Sequence, residues 1–169
     1  GWGCESKDFF KALSYLEAGR RAHSVAALTI SADLMLAAPK SNPSDAYQWF
    51  SECERAKSHY AILRLGQMMR AGEGVAKNED ASLGFFSRSK DKDAFYEQAK
   101  LQIKEKKWTA VFNTCKEGAS MGSTKCMQTL AEMFLMGIGT RQDFKSGKRW
   151  LTKLMDAKKN ELKGYRHDE

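Results

Sequence analysis

The stretch ILRLGQMMRAGEGVAKNEDASLGFF at residues 62–86 returns 65 residues later as MQTLAEMFLMGIGTRQDFKSGKRWL at residues 127–151. Aligned without gaps, the two stretches place small, apolar and turn-forming residues at the same positions. Both contain a Gly-x-Gly sequence, and Phe85 of the first falls on Trp150 of the second. Because self-similarity at a fixed offset is the signature of repeat architectures, the sequence predicts several copies of one structural unit.

Each copy is predicted to be a helix, a glycine turn and a second, antiparallel helix. Apolar residues recur at helical spacing before the glycines, and glycine ends a helix because it adopts the left-handed conformation at little cost. Asn78 and Asp143 suit the N-caps of the second helices. One such hairpin cannot bury its apolar face alone, so the pairs must stack into an all-α, α–α superhelix. The turn glycines are Gly72, Gly74, Gly137 and Gly139.

These two stretches resemble Sel1-like repeats, which are relatives of the tetratricopeptide repeat. The resemblance is weaker upstream of the first stretch and between the two, where the Gly-x-Gly turn is missing. We predict six divisions: an N-terminal helical segment (1–21), a degenerate Sel1-like repeat (22–57), a Sel1-like repeat (58–90), a tetratricopeptide-like helix pair (91–118), a second Sel1-like repeat (119–160) and a tail (161–169).

The resemblance implies a non-enzymatic adaptor that binds a partner protein or peptide. In stacked helix pairs the first helices line a concave face, and such a groove accepts a helix or an extended peptide. Six residues beside the apolar stripe are predicted to face the partner, although the two methionines among them would equally suit the core. They are Arg64, Gln67, Met68, Thr129, Glu132 and Met133. Substituting Arg64 and Glu132 should weaken binding and leave thermal stability intact.

The resemblance also bears on the cysteines and the compartment. In cysteine-bearing Sel1-like proteins, disulfides join neighbouring helices, which implies a Cys115–Cys126 bridge here; two free core cysteines are the alternative. Cys4 and Cys53 form a second candidate pair. Bacterial members often work in the envelope or are secreted, so we expect a periplasmic or secreted protein, with the cytoplasm as the alternative. No apolar run is long enough to predict a membrane span.

The sequence offers no catalytic set, metal site or cofactor motif. The four cysteines lack C-x-x-C spacing, and His23, His59 and His167 stand apart from any metal-binding pattern. The Gly-x-Gly turns lack the Gly-Lys-Ser/Thr ending of a phosphate-binding loop. A hydrolase of the cysteine-bearing Sel1-like type therefore remains an alternative without an identified site.

The net charge of +7 is concentrated in residues 92–169, which carry sixteen basic and ten acidic residues. This excess could attract an acidic protein or another polyanion, and lysines beside Trp108 could support base stacking. No nucleic-acid motif accompanies them, so a protein partner is favoured over nucleic acid. The oligomeric state is not predicted. Helical spacing instead assigns the aromatic residues to the core: Trp49, Phe85, Phe86, Trp108, Phe112, Phe134 and Trp150.

Overall fold

The computed structural model describes residues 24–37 and 42–164, together with positions 14, 18, 19 and 21 and without the side chains of 163 and 164. Regular structure in the two described ranges is entirely helical, which confirms the predicted all-α fold class. The helices are α1 (Val25–Ala37), α2 (Pro43–Arg55), α3 (His59–Ala71), α4 (Glu79–Arg88), α5 (Lys92–Lys104), α6 (Trp108–Ser120), α7 (Thr124–Met136) and α8 (Phe144–Gly164).

Several predictions fall on residues that the structure does not describe. Cys4 and most of the N-terminal segment (1–21) lie outside the described residues, as does the tail beyond residue 164. The predicted tail begins at residue 161, whereas α8 continues to Gly164. None of the described helices is long and apolar enough to cross a membrane.

The chain divides into two compact units, Gly1–Ser89 and Lys90–Glu169. In the first unit, α2 packs against α1 and α3, and α3 packs against α4. In the second unit, α6 packs against α5 and α7, and α7 packs against α8. Within the described residues, each unit therefore contains two helical hairpins with short connections, stacked through their middle helices.

Side-chain caps fix where the second helix of each Sel1-like copy begins. The Asn78 side chain accepts a hydrogen bond of 2.9 Å from the backbone N–H of Ala81, and Asp143 accepts one of 3.1 Å from that of Ser146. The Ser146 hydroxyl also donates to Asp143, and these bonds lower the pKa of the Asp143 carboxyl. The Asn78 cap is worth about 1 kcal/mol, because it satisfies an otherwise unpaired N–H at the helix start. Both predicted caps are confirmed.

Each unit has its own apolar core. The core of the first unit is formed by α1 to α3, with Leu28, Ala32, Ala46, Phe50, Cys53, Ala61, Leu65 and Met68. The core of the second unit draws on α5 to α8, with Ala99, Val111, Cys115, Ala119, Cys126, Met127, Leu130, Met133 and Leu154. Small residues in these lists let the helix backbones approach closely, as the repeat pattern requires.

The Gly-x-Gly turns have a second role besides ending a helix. Gly72 and Gly137 are left-handed helix ends, with φ of 78° and 71°. The following glycines also have positive φ, and each lies against the first residue of an earlier helix. A Cβ at Gly74 would lie 2.4 Å from the carbonyl oxygen of Pro43, and one at Gly139 would lie 2.4 Å from that of Trp108. Only glycine fits at these two positions, so each turn packs closely against the start of the neighbouring helix.

Candidate partner-binding site

An apolar pocket of about 140 Å³ opens in the second unit. Its floor contains Val111 and Met133, which are almost fully buried. Its rim is apolar and exposed: the exposed fractions are 36% for Ile103, 40% for Trp108, 67% for Met136 and 37% for Ile138. The remaining lining residues are Thr129 and Glu132. Apolar side chains left in contact with water in one concave patch are typical of a surface that binds another molecule.

Three segments of the second unit build this pocket. Ile103 lies near the end of α5, Trp108 is the first residue of α6, and α7 supplies the wall from Thr129 to Met136. Ile138 sits in the turn between Gly137 and Gly139. Because Gly139 packs directly on the Trp108 backbone, the turn holds Ile138 close to the α6 end that carries the Trp108 ring.

The structure brings three of the six predicted partner-facing residues to this pocket, and their role in binding stays a prediction. Thr129, Glu132 and Met133 all line it, although Met133 is only 4% exposed and contributes from the floor. Trp108 was expected in the core, yet it is 40% exposed at the rim. A tryptophan at the start of a helix projects beyond the helix it leads, so apolar spacing alone could not distinguish the rim from the core.

In the first unit, Arg64, Gln67 and Met68 occupy the repeat positions of Thr129, Glu132 and Met133, but their contacts differ. Arg64 forms an ion pair of 2.9 Å with Asp33 of α1 and donates a 2.8 Å hydrogen bond to Gln67. Its guanidinium also lies 5.7 Å from the centre of the Phe50 ring. Arg64 therefore already has partners inside the unit, and a ligand would have to compete with Asp33 for it. Substitution of Arg64 would remove these contacts as well, contrary to the expectation that stability stays intact.

Met68 does not face solvent. It is 1% exposed and belongs to the core of the first unit, beside Leu65 and Phe50. It is therefore a packing residue in this structure, and the prediction that it contacts a partner is corrected. The cause is its position on the inner side of α3, where the apolar stripe and the predicted binding face adjoin.

Sequence reasoning missed Ile103, Met136 and Ile138. Met136 ends α7 and Ile138 lies between two glycines, so neither belongs to the repeating apolar stripe. An apolar residue in a glycine turn was the available signal, since the corresponding position of the first copy is Glu73. Ile103 gave no comparable signal, because apolar residues near the end of a helix are common in cores.

A pair of buried thiols lies in the same core as the pocket-floor residues Val111 and Met133. Cys115 of α6 and Cys126 of α7 are fully buried, and both are free thiols in the structure. A hydrogen bond between them raises the pKa of Cys115 and lowers that of Cys126, and burial raises the pKa of Cys115 further. A Cβ on Gly118 would lie 2.6 Å from the Cys126 sulfur, so glycine makes room for this contact. The predicted pair is thus adjacent, and its oxidation stays a prediction.

The described lining of the pocket lacks a pair of ionisable side chains for acid–base catalysis. Among its described lining residues Glu132 alone is ionisable, so it offers no acid–base pair. Within the described residues there is no group of three or more histidine, cysteine or carboxylate side chains arranged to hold a metal ion.

Comparison with known proteins agrees with the helical-repeat fold. The Sel1 repeat model matches residues 59–93 and 125–157. A solved Sel1 repeat protein from Oxalobacter formigenes superposes with a TM-score of 0.70 at 16% identity, covering 79% of this chain. A protective antigen of uropathogenic Escherichia coli strains, described as displaying an SLR fold, superposes with a TM-score of 0.71 at 17% identity, covering 82% of this chain.

The chain covers only part of the length of each of these solved structures. The chain covers 58% of the Oxalobacter protein and 32% of the Escherichia coli antigen, so it spans only part of either. No curated protein is detectably similar to it in sequence. The fold of these solved structures nonetheless extends over most of the chain, and the two family matches coincide with α3–α4 and α7–α8. The chain therefore contains two Sel1 repeats, within a fold that it shares with these solved Sel1-like structures.

Proposed function

We propose that this chain is a non-enzymatic adaptor that binds an apolar segment of a partner protein in the pocket of the second unit. Repeats of this kind generally mediate protein–protein interactions. The observation that carries the proposal is the exposed rim of Ile103, Trp108, Met136 and Ile138 over a buried apolar floor. Tryptophan and methionine are enriched at protein interfaces, and a pocket of this size accommodates one or two apolar side chains.

The polar residues at the pocket edge would set the orientation of the bound partner segment. Glu132 is exposed on α7, and the Gln128 amide donates a 3.1 Å hydrogen bond to it. Its carboxylate can accept hydrogen bonds from a lysine, an arginine or a free backbone N–H of the partner. We therefore infer a ligand segment with apolar anchors next to a hydrogen-bond donor or a basic residue.

Site-specific photo-crosslinking tests this proposal. A photoreactive amino acid replaces Met136 at the rim, and the matched control places it at Lys116, which is exposed further along α6. In source cells, position 136 should crosslink one protein in high yield and position 116 should not. Capture of the same proteins at both positions, or of none at 136, would contradict the pocket assignment.

A polyanion binder is the second candidate, because α8 carries seven basic residues and two acidic ones. Such binding would weaken steeply with salt as counterions are released, whereas an apolar pocket interaction would not. The hydrolase alternative lacks support from the pocket, whose single carboxylate has no acid–base partner among the lining residues.

We further propose an envelope or secreted setting, where the Cys115–Cys126 pair would be oxidised. Each thiol loses its proton, and the electron pair passes to an oxidant such as oxidised glutathione, which leaves as two reduced molecules. A bridge closing a loop of this size should add about 3 kcal/mol to the free energy of unfolding. Urea unfolding of the oxidised and reduced protein measures this difference.

Peptide mapping identifies the bridge directly. In protein purified without reductant, a Cys115–Cys126 disulfide would join tryptic peptides 108–116 and 126–141. Cys115→Ser is the control, since it removes the linked pair while Cys53 remains buried and unaffected. Alkylatable thiols at both positions in protein trapped directly from source cells would argue for the cytoplasm.

A further inference from the structure

The last helix, α8, carries two parallel stripes of residues. The inner stripe consists of Gly147, Trp150, Leu154 and Ala157, and these pack on α7 and the core of the second unit. One position further along the chain runs a second stripe, rotated by about 100° around the helix. We call it the α8 seam; its residues are Phe144, Lys148, Leu151, Met155, Lys158 and Leu162.

The apolar members of the α8 seam are exposed to solvent. The exposed fractions are 64% for Phe144, 37% for Leu151, 71% for Met155 and 68% for Leu162. Four large apolar side chains along one helix face are more than scattered surface residues, and none of them belongs to the core of the second unit. This face is separate from the pocket, which no α8 residue lines.

The spacing of the α8 seam specifies the kind of surface that would cover it. Successive members are separated by 4, 3, 4, 3 and 4 residues, which is an unbroken heptad pattern over nearly the whole helix. Heptad seams pack by inserting each side chain between four residues of a facing helix. The occupant indicated is therefore another α-helix with the same periodicity.

The two lysines in the α8 seam decide which helix fits. Within the described residues neither Lys148 nor Lys158 forms an ion pair, and both are exposed. In a parallel pair of two α8 helices each lysine would face its own copy. In an antiparallel pair centred on the α8 seam, Lys148 would face Lys158. Both arrangements place like charges together, so a second copy of this chain is disfavoured.

Charge complementarity points instead to an acidic helix. The stripe next to the α8 seam on its solvent side adds Lys145, Arg149 and Lys159 against one acidic residue, Asp156, so this side of the helix remains basic. We propose that α8 docks an acidic amphipathic helix of a partner protein, whose apolar heptad positions meet Phe144, Leu151, Met155 and Leu162. Carboxylates of that helix would face Lys148 and Lys158.

Two synthetic peptides test the proposal on the full chain. The first has leucines facing the apolar members and glutamates facing the two lysines; the second has lysines in place of those glutamates. The order and spacing of apolar and basic residues in the α8 seam are the same from either end. One peptide design therefore covers parallel and antiparallel docking. Calorimetry should show the glutamate peptide binding at least about tenfold tighter than the lysine peptide.

The charge-swapped protein is the matched control. Lys148→Glu together with Lys158→Glu should invert the preference between the two peptides, and Met155→Ser should weaken binding of the glutamate peptide about tenfold. All three side chains are exposed, so circular dichroism melting curves should stay close to that of the parent protein. Trp108→Ala, in the separate pocket, should leave peptide binding unchanged.

Other occupants would give other results. Equal affinity for the two peptides, or no binding of either, overturns the proposal. So does a dimer in sedimentation that Met155→Ser dissociates, which would assign the α8 seam to a second copy. Vesicles of phosphatidylglycerol and phosphatidylcholine are the last probe. Binding to them that the double lysine variant abolishes, without peptide selectivity, would assign the α8 seam to an anionic lipid surface.

Discussion

Replacing Gly139 with alanine should lower the free energy of unfolding of the second unit by about 2–4 kcal/mol. About 1 kcal/mol comes from the positive φ of 70°, which a Cβ makes unfavourable. The remainder comes from contact, because the new Cβ would lie 2.4 Å from the Trp108 carbonyl oxygen. A backbone atom cannot move aside as a flexible side chain can, so either the turn or the start of α6 must shift. Urea unfolding followed by circular dichroism measures the loss.

Gly122 provides the matched control within the same unit. It also has positive φ, at 89°, but a Cβ there would have no atom within 4 Å. Gly122→Ala should therefore cost only the conformational part, about 1 kcal/mol. The difference between the two variants isolates the packing of the turn on α6. Equal losses for both would show that this packing is not a constraint.

Trp108→Ala should weaken binding of the partner captured at position 136 by about thirtyfold or more. Trp108 forms one wall of the pocket, and tryptophan truncation at the centre of an interface commonly costs 2 kcal/mol or more, on the order of thirtyfold. Since the ring is 40% exposed in the free protein, most of this loss should appear in binding. Calorimetry with the purified partner measures it.

Met121→Ala is the control for this effect. Met121 is 53% exposed at the far end of α6, outside the pocket, so its truncation removes a comparable amount of apolar surface. Affinity should remain within about twofold of the parent, as for surface substitutions away from a binding site. Similar losses for Met121→Ala and Trp108→Ala would contradict the assignment of Trp108 as an anchor.

The two predictions are linked by the turn that carries Ile138. If Gly139→Ala displaces that turn from the Trp108 backbone, Ile138 moves with it and the pocket widens. At temperatures where the variant is folded, partner affinity should therefore fall although no lining side chain is changed. Gly122→Ala should leave affinity as it is.

The sequence by itself determined the helices, their caps and the turns between them. Asn78, Asp143 and the glycines at 72 and 137 act on backbone groups only a few residues away, so their roles are readable without the tertiary structure. The repeated apolar stripe then required stacked helix pairs, because one hairpin cannot bury it. The all-α fold class and the resemblance to Sel1-like repeats followed from these local signals.

Only the tertiary structure decided which of these residues meet. Met68 and Met133 hold equivalent repeat positions and both belong to a core, yet Met133 also forms the floor of a pocket. Cys115 and Cys126 are neighbours because α6 packs on α7, and Gly139 packs on the Trp108 backbone at the pocket rim. The repeat pattern is local, whereas exposure depends on which helix covers each side chain, and that is set by packing between segments far apart in sequence.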